Sequence, residues 1–317
     1  MRTMANPMTA HGRPAGPTRP PAVAGSFYPD DPGTLRSVVH ELLDEAAGRS
    51  PGASIELPGL AGLLVPHAGL VYSGVVATSG WCHLRDEAAA PSAPPTSTRI
   101  VLLGTNHGAS WLKGIGAWDA GAWNIPTGSI PVDEELASAI VALGPPYQVD
   151  RAAHRTEHSI EVQLPILRMV DPGASIVPLA VSCGTGVLAS DAGARLGSLL
   201  ASWPGPSRVI LAISSDMAHY PGHEDCEGVT ARLLDPILAT DPEELTAREG
   251  LLCASGIPRL SCGMCGIAPA VVGLAALRAM GVRRGVPLAA ATSADCGGPL
   301  RRTVGYLAVG WGSAQRP

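Results

Sequence analysis

The sequence predicts an α/β fold, a three-layer αβα single domain around a mostly parallel/mixed central sheet. Three observations carry this expectation. Apolar runs of strand length alternate along the chain with longer segments of helical periodicity, the pattern of a sheet covered on both faces. No Pro/Gly-rich linker divides the folded part, although 317 residues would be enough for two domains. The 38 glycines exceed average usage and suit a fold with many tight turns. Phe27 is the only phenylalanine and aromatics total 4%, so the core must be built from Ala, Val, Leu and Ile.

The elements follow in order. The first 21 residues are rich in Pro, Gly and Arg and lack the apolar stretch of a secretory signal; residues 1–19 are expected to be a disordered tail and 20–313 the domain. Ala24 to Pro29 is a turn-rich entry, and Asp31 or Pro32 opens a helix to about Ala47 with Leu35, Val38, Val39, Leu42 and Leu43 on its apolar side. Leu60 to Val65 reads as a buried strand, followed by a helix over Gly74 to Leu84. Ala88 to Thr98 has no periodicity and reads as a solvent loop. Ile100 to Leu103 is the next strand. Trp111 to Trp123 with Gly128 to Pro131 suggests a hairpin-like excursion. Asp133 caps a helix to about Leu143, and Thr156 or Glu157 begins another with Ile160, Leu164 and Leu167 on one face. Ser175 to Val181, Arg208 to Ile213, Pro287 to Ala291 and Val304 to Val309 are strands. Helices are expected between them at Leu188 to Leu200, Cys226 to Leu238 and Pro269 to Met280.

Charge and cysteine usage narrow the function classes. The net charge is −5 and no basic patch interleaved with aromatics occurs, which argues against nucleic-acid binding. No run of about 18 apolar residues is present, so no membrane span is expected. Seven cysteines, an odd number in a long chain without an export signal, point to a reduced, cytoplasmic setting. The bias to Arg, with Lys113 the single lysine, suggests a high-GC, bacterial genome. Oligomeric state is not legible, and a homo-oligomer is compatible with everything above.

Four segments carry chemistry. His67 follows the first predicted strand within Pro66-His67-Ala68-Gly69, and His107 follows the second within Asn106-His107-Gly108. In open α/β sheets ligands bind beyond the carboxyl ends of strands, so distant segments can meet there. A lone histidine is more often a core or capping residue, but two at strand ends beside glycines favour metal ligation. Asp216 and His219 follow the strand ending at Ile213. Three residues apart, they can face the same side, and a carboxylate that orients an imidazole makes it a general base. The competing reading makes Asp216 a helix N-cap and leaves His219 on the surface.

Cys265 precedes a predicted helix, whose N-terminus is expected to favour the thiolate that binds metal; the alternative is a small buried apolar side chain. Two imidazoles and a thiolate make a plausible mononuclear site. His154-Arg155-Thr156-Glu157-His158 also matches the H-x-x-E-H zinc peptidase pattern, in which both histidines share an ion from one helix. The same stretch equally fits a polar face rimming a cleft.

Taken together, these segments resemble the MEMO family, the B component of the AmmeMemoRadiSam set, over about residues 19 to 312. The resemblance rests on Arg19 to Pro29, Pro66-His67-Ala68-Gly69 with Tyr72-Ser73-Gly74, and Asn106-His107. It continues through Glu157-His158-Ser159-Ile160-Glu161 with Leu164-Pro165, Ser214-Ser215-Asp216 with His219-Tyr220, and Cys265-Gly266 with Pro269. That family is similar to the catalytic subunit of class III extradiol dioxygenases, non-haem Fe(II) enzymes. The resemblance implies metal ligands at His67, His107 and Cys265 and an acid/base pair at His219 and Asp216. It places Tyr72, Asn106, Glu157 and His158 about a substrate pocket. Fe(II) is the implied ion, with Cu or Zn as competitors.

The dioxygenases complete their site with a carboxylate where this chain has Cys265. A thiolate is softer and itself oxidisable, and Cys262 is near enough in sequence to trap it as a disulfide. Two functions follow as expectations. One is a non-haem iron oxidase or dioxygenase using O₂ on a small, phenolic substrate. The other is a non-catalytic metal-handling or peptide-binding protein using the same pocket.

Overall fold

The most apolar runs of the chain lie side by side in the middle of one sheet. In the structure, a computed structural model that describes residues 16–48, 57, 59–84, 98–205 and 208–312, strands are numbered in chain order. Strands β2 (Leu60–Val65), β9 (Arg208–Ser214), β3 (Thr98–Thr105) and β8 (Ser175–Val181) are neighbours in that order, all parallel. Every residue of β2 is buried, because both sheet faces are covered and neither needs polar residues. Gly62 faces Leu277 of helix Ile267–Ala279, whereas Leu63 and Val65 face Gly80 of helix Leu70–Trp81. Alternation along a strand thus places these helices on opposite faces, giving the three layers.

Beyond β2 come β11 (Gly305–Gly312) and β10 (Val286–Thr292), and beyond β8 come β4 (Ile115–Ala117) and β7 (Tyr147–Val149). Antiparallel pairings at β2–β11, β11–β10 and β8–β4, and a parallel one at β4–β7, complete the edges. The sheet is therefore mixed around a parallel centre. Helix Val187–Ala201 lies against helix Ile267–Ala279 so closely that a Cβ at Gly197 would meet the backbone of Ala276.

Several expected elements shift. Helix Leu70–Trp81 starts four residues before the predicted Gly74, and β3 and β11 extend past their predicted ends. The hairpin is formed by β5 (Ala122–Ile125) and β6 (Gly128–Pro131), while β4 leaves it for the main sheet. Helix Pro242–Ala254 was not anticipated. Only four of its residues are buried, so its apolar stripe is faint, although Asp241 caps it through the Glu244 amide at 2.9 Å. The solvent loop expected over 88–98 lies outside the described residues, except Thr98, which begins β3.

Two corrections bear on the site. The predicted tail ends too late: Thr18–Arg19 form β1, which pairs in parallel with β5. The helix expected from Thr156 or Glu157 begins only at Leu164, with Pro165 in its first turn, after a single turn over Glu161–Gln163. The backbone of 154–160 is claimed by tertiary partners instead. Arg19 donates to the carbonyls of His154 (2.6 Å) and Glu157 (2.7 Å), and the amides of His158 and Ser159 donate to the Glu157 carboxylate, each at 2.9 Å.

Arg19 is 1% exposed, stacks 4.1 Å above Trp123 and pairs with Glu161 at 2.6 Å. Glu161 also accepts from Tyr28 Oη at 2.5 Å and from the amides of Ala22 and Val23. Removing one partner strands a buried charge, which is costlier than deleting the pair. Glu161→Gln and Arg19→Met should each lose about 3–5 kcal/mol by denaturant unfolding, and the double variant should lose less than the sum of the two. A loss below 1 kcal/mol would mean that this pair does not anchor the segment.

Candidate metal centre

Three adjacent parallel strands each deliver one functional residue two positions beyond their carboxyl ends. His67 follows Val65 of β2, Asp216 follows Ser214 of β9, and His107 follows Thr105 of β3. Val65 and Ser214 are register partners, which brings the first two loops level. Asp216 is buried, and its Oδ1 accepts from the amides of His67 (2.7 Å) and Ala68 (3.1 Å), tying the β9 loop to the β2 loop. It is not a helix cap, since the next helix starts only at His223.

The imidazoles are held from behind. His67 Nδ1 lies 3.0 Å from Ser214 Oγ, which donates its own proton to the Ser159 carbonyl at 2.6 Å. Ser214 Oγ is therefore the acceptor, the His67 proton sits on Nδ1, and the Nε2 lone pair faces outward. His107 Nδ1 bonds to Glu157 Oε1 at 2.9 Å, and the His107 amide donates to Glu157 Oε2 at 2.7 Å. Burial opposes the Glu157 charge, but the bonds from His107 outweigh it and hold the carboxyl at about 2. Burial, with the His107 ring nearby, pushes His67 down to about 3, so its donor nitrogen stays unprotonated at neutral pH.

Cys265 reaches the same place from the loop before helix Ile267–Ala279. The Gly266 amide donates to Ser215 Oγ at 2.8 Å, and a Cβ at Gly266 would lie 2.5 Å from the Ser215 Cβ, so only glycine permits this approach. Cys265 Sγ ends 3.2 Å from His67 Nε2. The expected helix-stabilised thiolate is not what results. Burial first, and the Asp216 carboxyl second, push this thiol well above its ordinary value. A cation is needed to displace its proton. Cys262 is held up at about 12 by burial and Glu249, and it forms no disulfide with Cys265.

Among the described residues, two groups of donor atoms lie within 4.8 Å of one another: His67, His107 and His158, and His67, Asp216 and Cys265. His67 belongs to both, whereas His107 and Cys265 fall in different groups. His219 stands opposite, with Nε2 4.0 Å from Asp216 Oδ2, too far for the predicted orienting hydrogen bond. That Nε2 is buried without a hydrogen-bond partner. Convergent imidazoles, a nearby thiol and this orphaned nitrogen fit a divalent or soft monovalent ion.

A cavity of about 470 Å³ opens over these groups, lined by His67, His107, His158, Asp216 and His219 with Phe27, Tyr72, Tyr220 and Tyr306. Tyr72 and His158 line it. Asn106 and Glu157 are used elsewhere. Asn106 bridges both polar groups of Ala109 (2.9 and 2.8 Å) and shapes the turn behind His107, while Glu157 is buried beneath the imidazoles. Sequence reasoning gave no role to Ser214, Gln163 or Tyr306. Ser214 was adjacent to Asp216, but its bonds to His67 and Gln163 cross 147 and 51 residues and leave no local pattern.

The H-x-x-E-H peptidase reading does not survive. His154 is fully buried between Trp118 and Trp123, its Nε2 donates to the Gly116 carbonyl at 2.8 Å, and it shares no donor group with His158. The two histidines do not sit on one helix, for the reason given above.

Comparison with known proteins agrees over nearly the whole chain. The sequence model of the Memo family, described as Memo-like protein, matches residues 19–310. A MEMO1 family protein of Methanopyrus kandleri is 34% identical over 301 residues, covering 92% of this chain and 98% of its own length. One from Aquifex aeolicus is 34% identical with the same coverage. A third, from Methanothermobacter thermautotrophicus, is 32% identical, covering 91% of this chain and 98% of its own.

Burial holds His67 at about 3 and both His154 and His158 at about 4. These folded values lie below the unfolded 6.5, so between pH 6.5 and 4 the unfolded chain carries the extra protons and stability rises with pH. Urea unfolding across pH 4–7 should show this slope, each histidine contributing up to about 1.4 kcal/mol per pH unit. His154→Gln should make the slope shallower and leave bound metal unchanged; loss of metal in that variant would restore the peptidase reading.

Proposed function

Because the chain belongs to the Memo-like protein family, we propose that it is a metal-dependent oxidoreductase of the non-haem iron type, acting with O₂ on a small phenolic substrate. The observation that carries this reading is His219 Nε2, buried, unpartnered and on the wall of a cavity shared with His67 and His107. The ion site is built on His67, with further donors drawn from His107, His158, Asp216 and Cys265.

A reduced iron ion bound there would supply Lewis acidity and relay electrons from the phenolic substrate to O₂. The protein's own part is proton handling and shape. Phe27, Tyr72 and Tyr306 give the cavity apolar walls suited to a flat ring. Burial lowers the His219 pKa, leaving Nε2 free to take a phenolic proton at neutral pH. The imidazolium so formed would face Asp216 Oδ2, 4.0 Å away, whose charge favours it. Tyr220, at φ 74°, lies beside His219 and lines the same cavity, its ring centroid 5.3 Å from the imidazole.

A second reading, metal handling without turnover, is favoured by the pairing of Cys265 Sγ with His67 Nε2 at 3.2 Å, since a thiolate selects Cu(I) or Zn(II) over Fe(II). Oxygen uptake separates the two. Protein reconstituted anaerobically with Fe(II) should consume O₂ with at least one member of a panel of catechols and monophenols. His219→Ala should slow it by about 10²–10⁴ while retaining its iron. No uptake across the panel, with tight Cu(I) retention, would establish metal handling instead.

A further inference from the structure

We propose that Cys253 and Cys262 form a second reactive site, a dithiol that hydrogen peroxide converts to a disulfide and that Glu249 positions. Cys253 is exposed in the last turn of helix Pro242–Ala254, one turn after Glu249. Its thiol donates to Glu249 Oε1 at 3.3 Å, and the same oxygen accepts from the Gly263 amide at 2.9 Å. One carboxylate oxygen thus draws the Cys253 sulfur to the peptide bond that follows Cys262. The approach is so close that a Cβ at Gly263 would collide with Glu249 Oε2 and Leu233. Glu249 is 8% exposed, and its Oε2 is buried with no hydrogen-bond partner among the described residues.

Cys265 is the nearer cysteine in sequence, but its sulfur is turned to the metal centre, 3.2 Å from His67 Nε2. Cys253 is therefore the partner left to Cys262. Burial first, and the Glu249 charge second, hold both thiols above their ordinary value, so the pair stays reduced until an oxidant reaches the exposed sulfur.

The chemistry balances with one peroxide. The Cys253 sulfur attacks a peroxide oxygen, the O–O bond breaks, and Cys253 sulfenic acid and water form. The Cys262 sulfur then attacks Cys253, the S–O bond breaks, and the oxygen leaves as a second water with the Cys262 proton. The thiols lose two electrons and the peroxide gains them. Cys262 is also the backbone partner of His219. Its carbonyl accepts from the His219 amide, and the Ser261 amide donates to the His219 carbonyl, each at 3.0 Å. Closing the S–S bond draws Cys262 toward Cys253 and loosens this bridge at the cavity wall.

Peptide mapping of the full-length protein after treatment with hydrogen peroxide tests the site. Trypsin cleaves after Arg248, Arg259 and Arg278, which separates Cys253 in 249–259 from Cys262 and Cys265 in 260–278. The expected result is a single chain lighter by two hydrogens, with these two peptides joined. The join should persist in Cys265→Ser and vanish in Cys262→Ser. A disulfide within 260–278, a link between two chains, or oxidised Cys253 without a link would overturn the proposal. Glu249→Gln keeps an acceptor for the Gly263 amide but lacks the charge, and should form the link at least about 5-fold faster. An unchanged or slower rate would remove Glu249 from the site. In the linked protein the His219 amide should exchange with deuterium at least about 3-fold faster, and unchanged exchange would overturn the coupling to the cavity. None of these readouts depends on oxygen uptake, so the site stands or falls apart from the proposed activity.

Discussion

The buried ion pair between Arg19 and Glu161 is the constraint on which the rest of the site depends. One guanidinium reaches Glu161 and the carbonyls of His154 and Glu157, so an N-terminal strand is fastened to a loop about 140 residues away in the chain. That loop presents Glu157 to His107 and His158 to the cavity, and it sends the Ser159 carbonyl to Ser214 behind His67. The segment after Arg19 carries Phe27 onto His158. A charge pair out of water is expensive to assemble, and here it is made tolerable by hydrogen bonds that occupy both partners fully. The outcome is a fixed geometry for the imidazoles rather than extra stability.

Desolvation then decides the chemistry of the donors. Five ionisable groups at the cavity floor are moved toward their neutral forms, His67, His158 and His219 downward and Asp216 and Cys265 upward. Glu157 is the exception, because several hydrogen bonds, the strongest from His107, stabilise its charge. The Glu157 carboxylate thus sits beneath converging nitrogen, oxygen and sulfur donors, an environment in which a cation is favoured and in which an imidazole can accept a proton. The placement of Asp216, His67 and His107 at equal offsets past three neighbouring strands supplies the rigidity; the loops have only two residues in which to wander.

Much of this was legible in the chain. Buried parallel strands announce themselves as unbroken apolar runs, so β2, β3, β8 and β9 could be placed. A residue immediately past such a run is bound to emerge at the sheet edge, so His67, His107 and Asp216 were recognisable as neighbours in space. Short-range capping was readable too, as Asp133 shows by accepting from the Leu136 amide at 3.0 Å. Where local propensity met a long-range partner, it misled. The 156–163 segment has helical periodicity, but its carbonyls are taken by Arg19 and its amides by Glu157. The helix start after Cys265 suggested a thiolate, but burial reversed the sign.

The sequence by itself determined the layered α/β architecture, the family, and the residue types available for chemistry, because these follow from periodicity and from motifs contiguous along the chain. Only the tertiary structure decided which donor atoms converge, that His158 stands with His67 and His107, that Asn106 and Glu157 serve behind the cavity, and that Asp216 and His219 stay 4.0 Å apart. Those outcomes depend on distances between segments separated by scores of residues and on the exclusion of water from the space they enclose, neither of which is encoded in any local pattern.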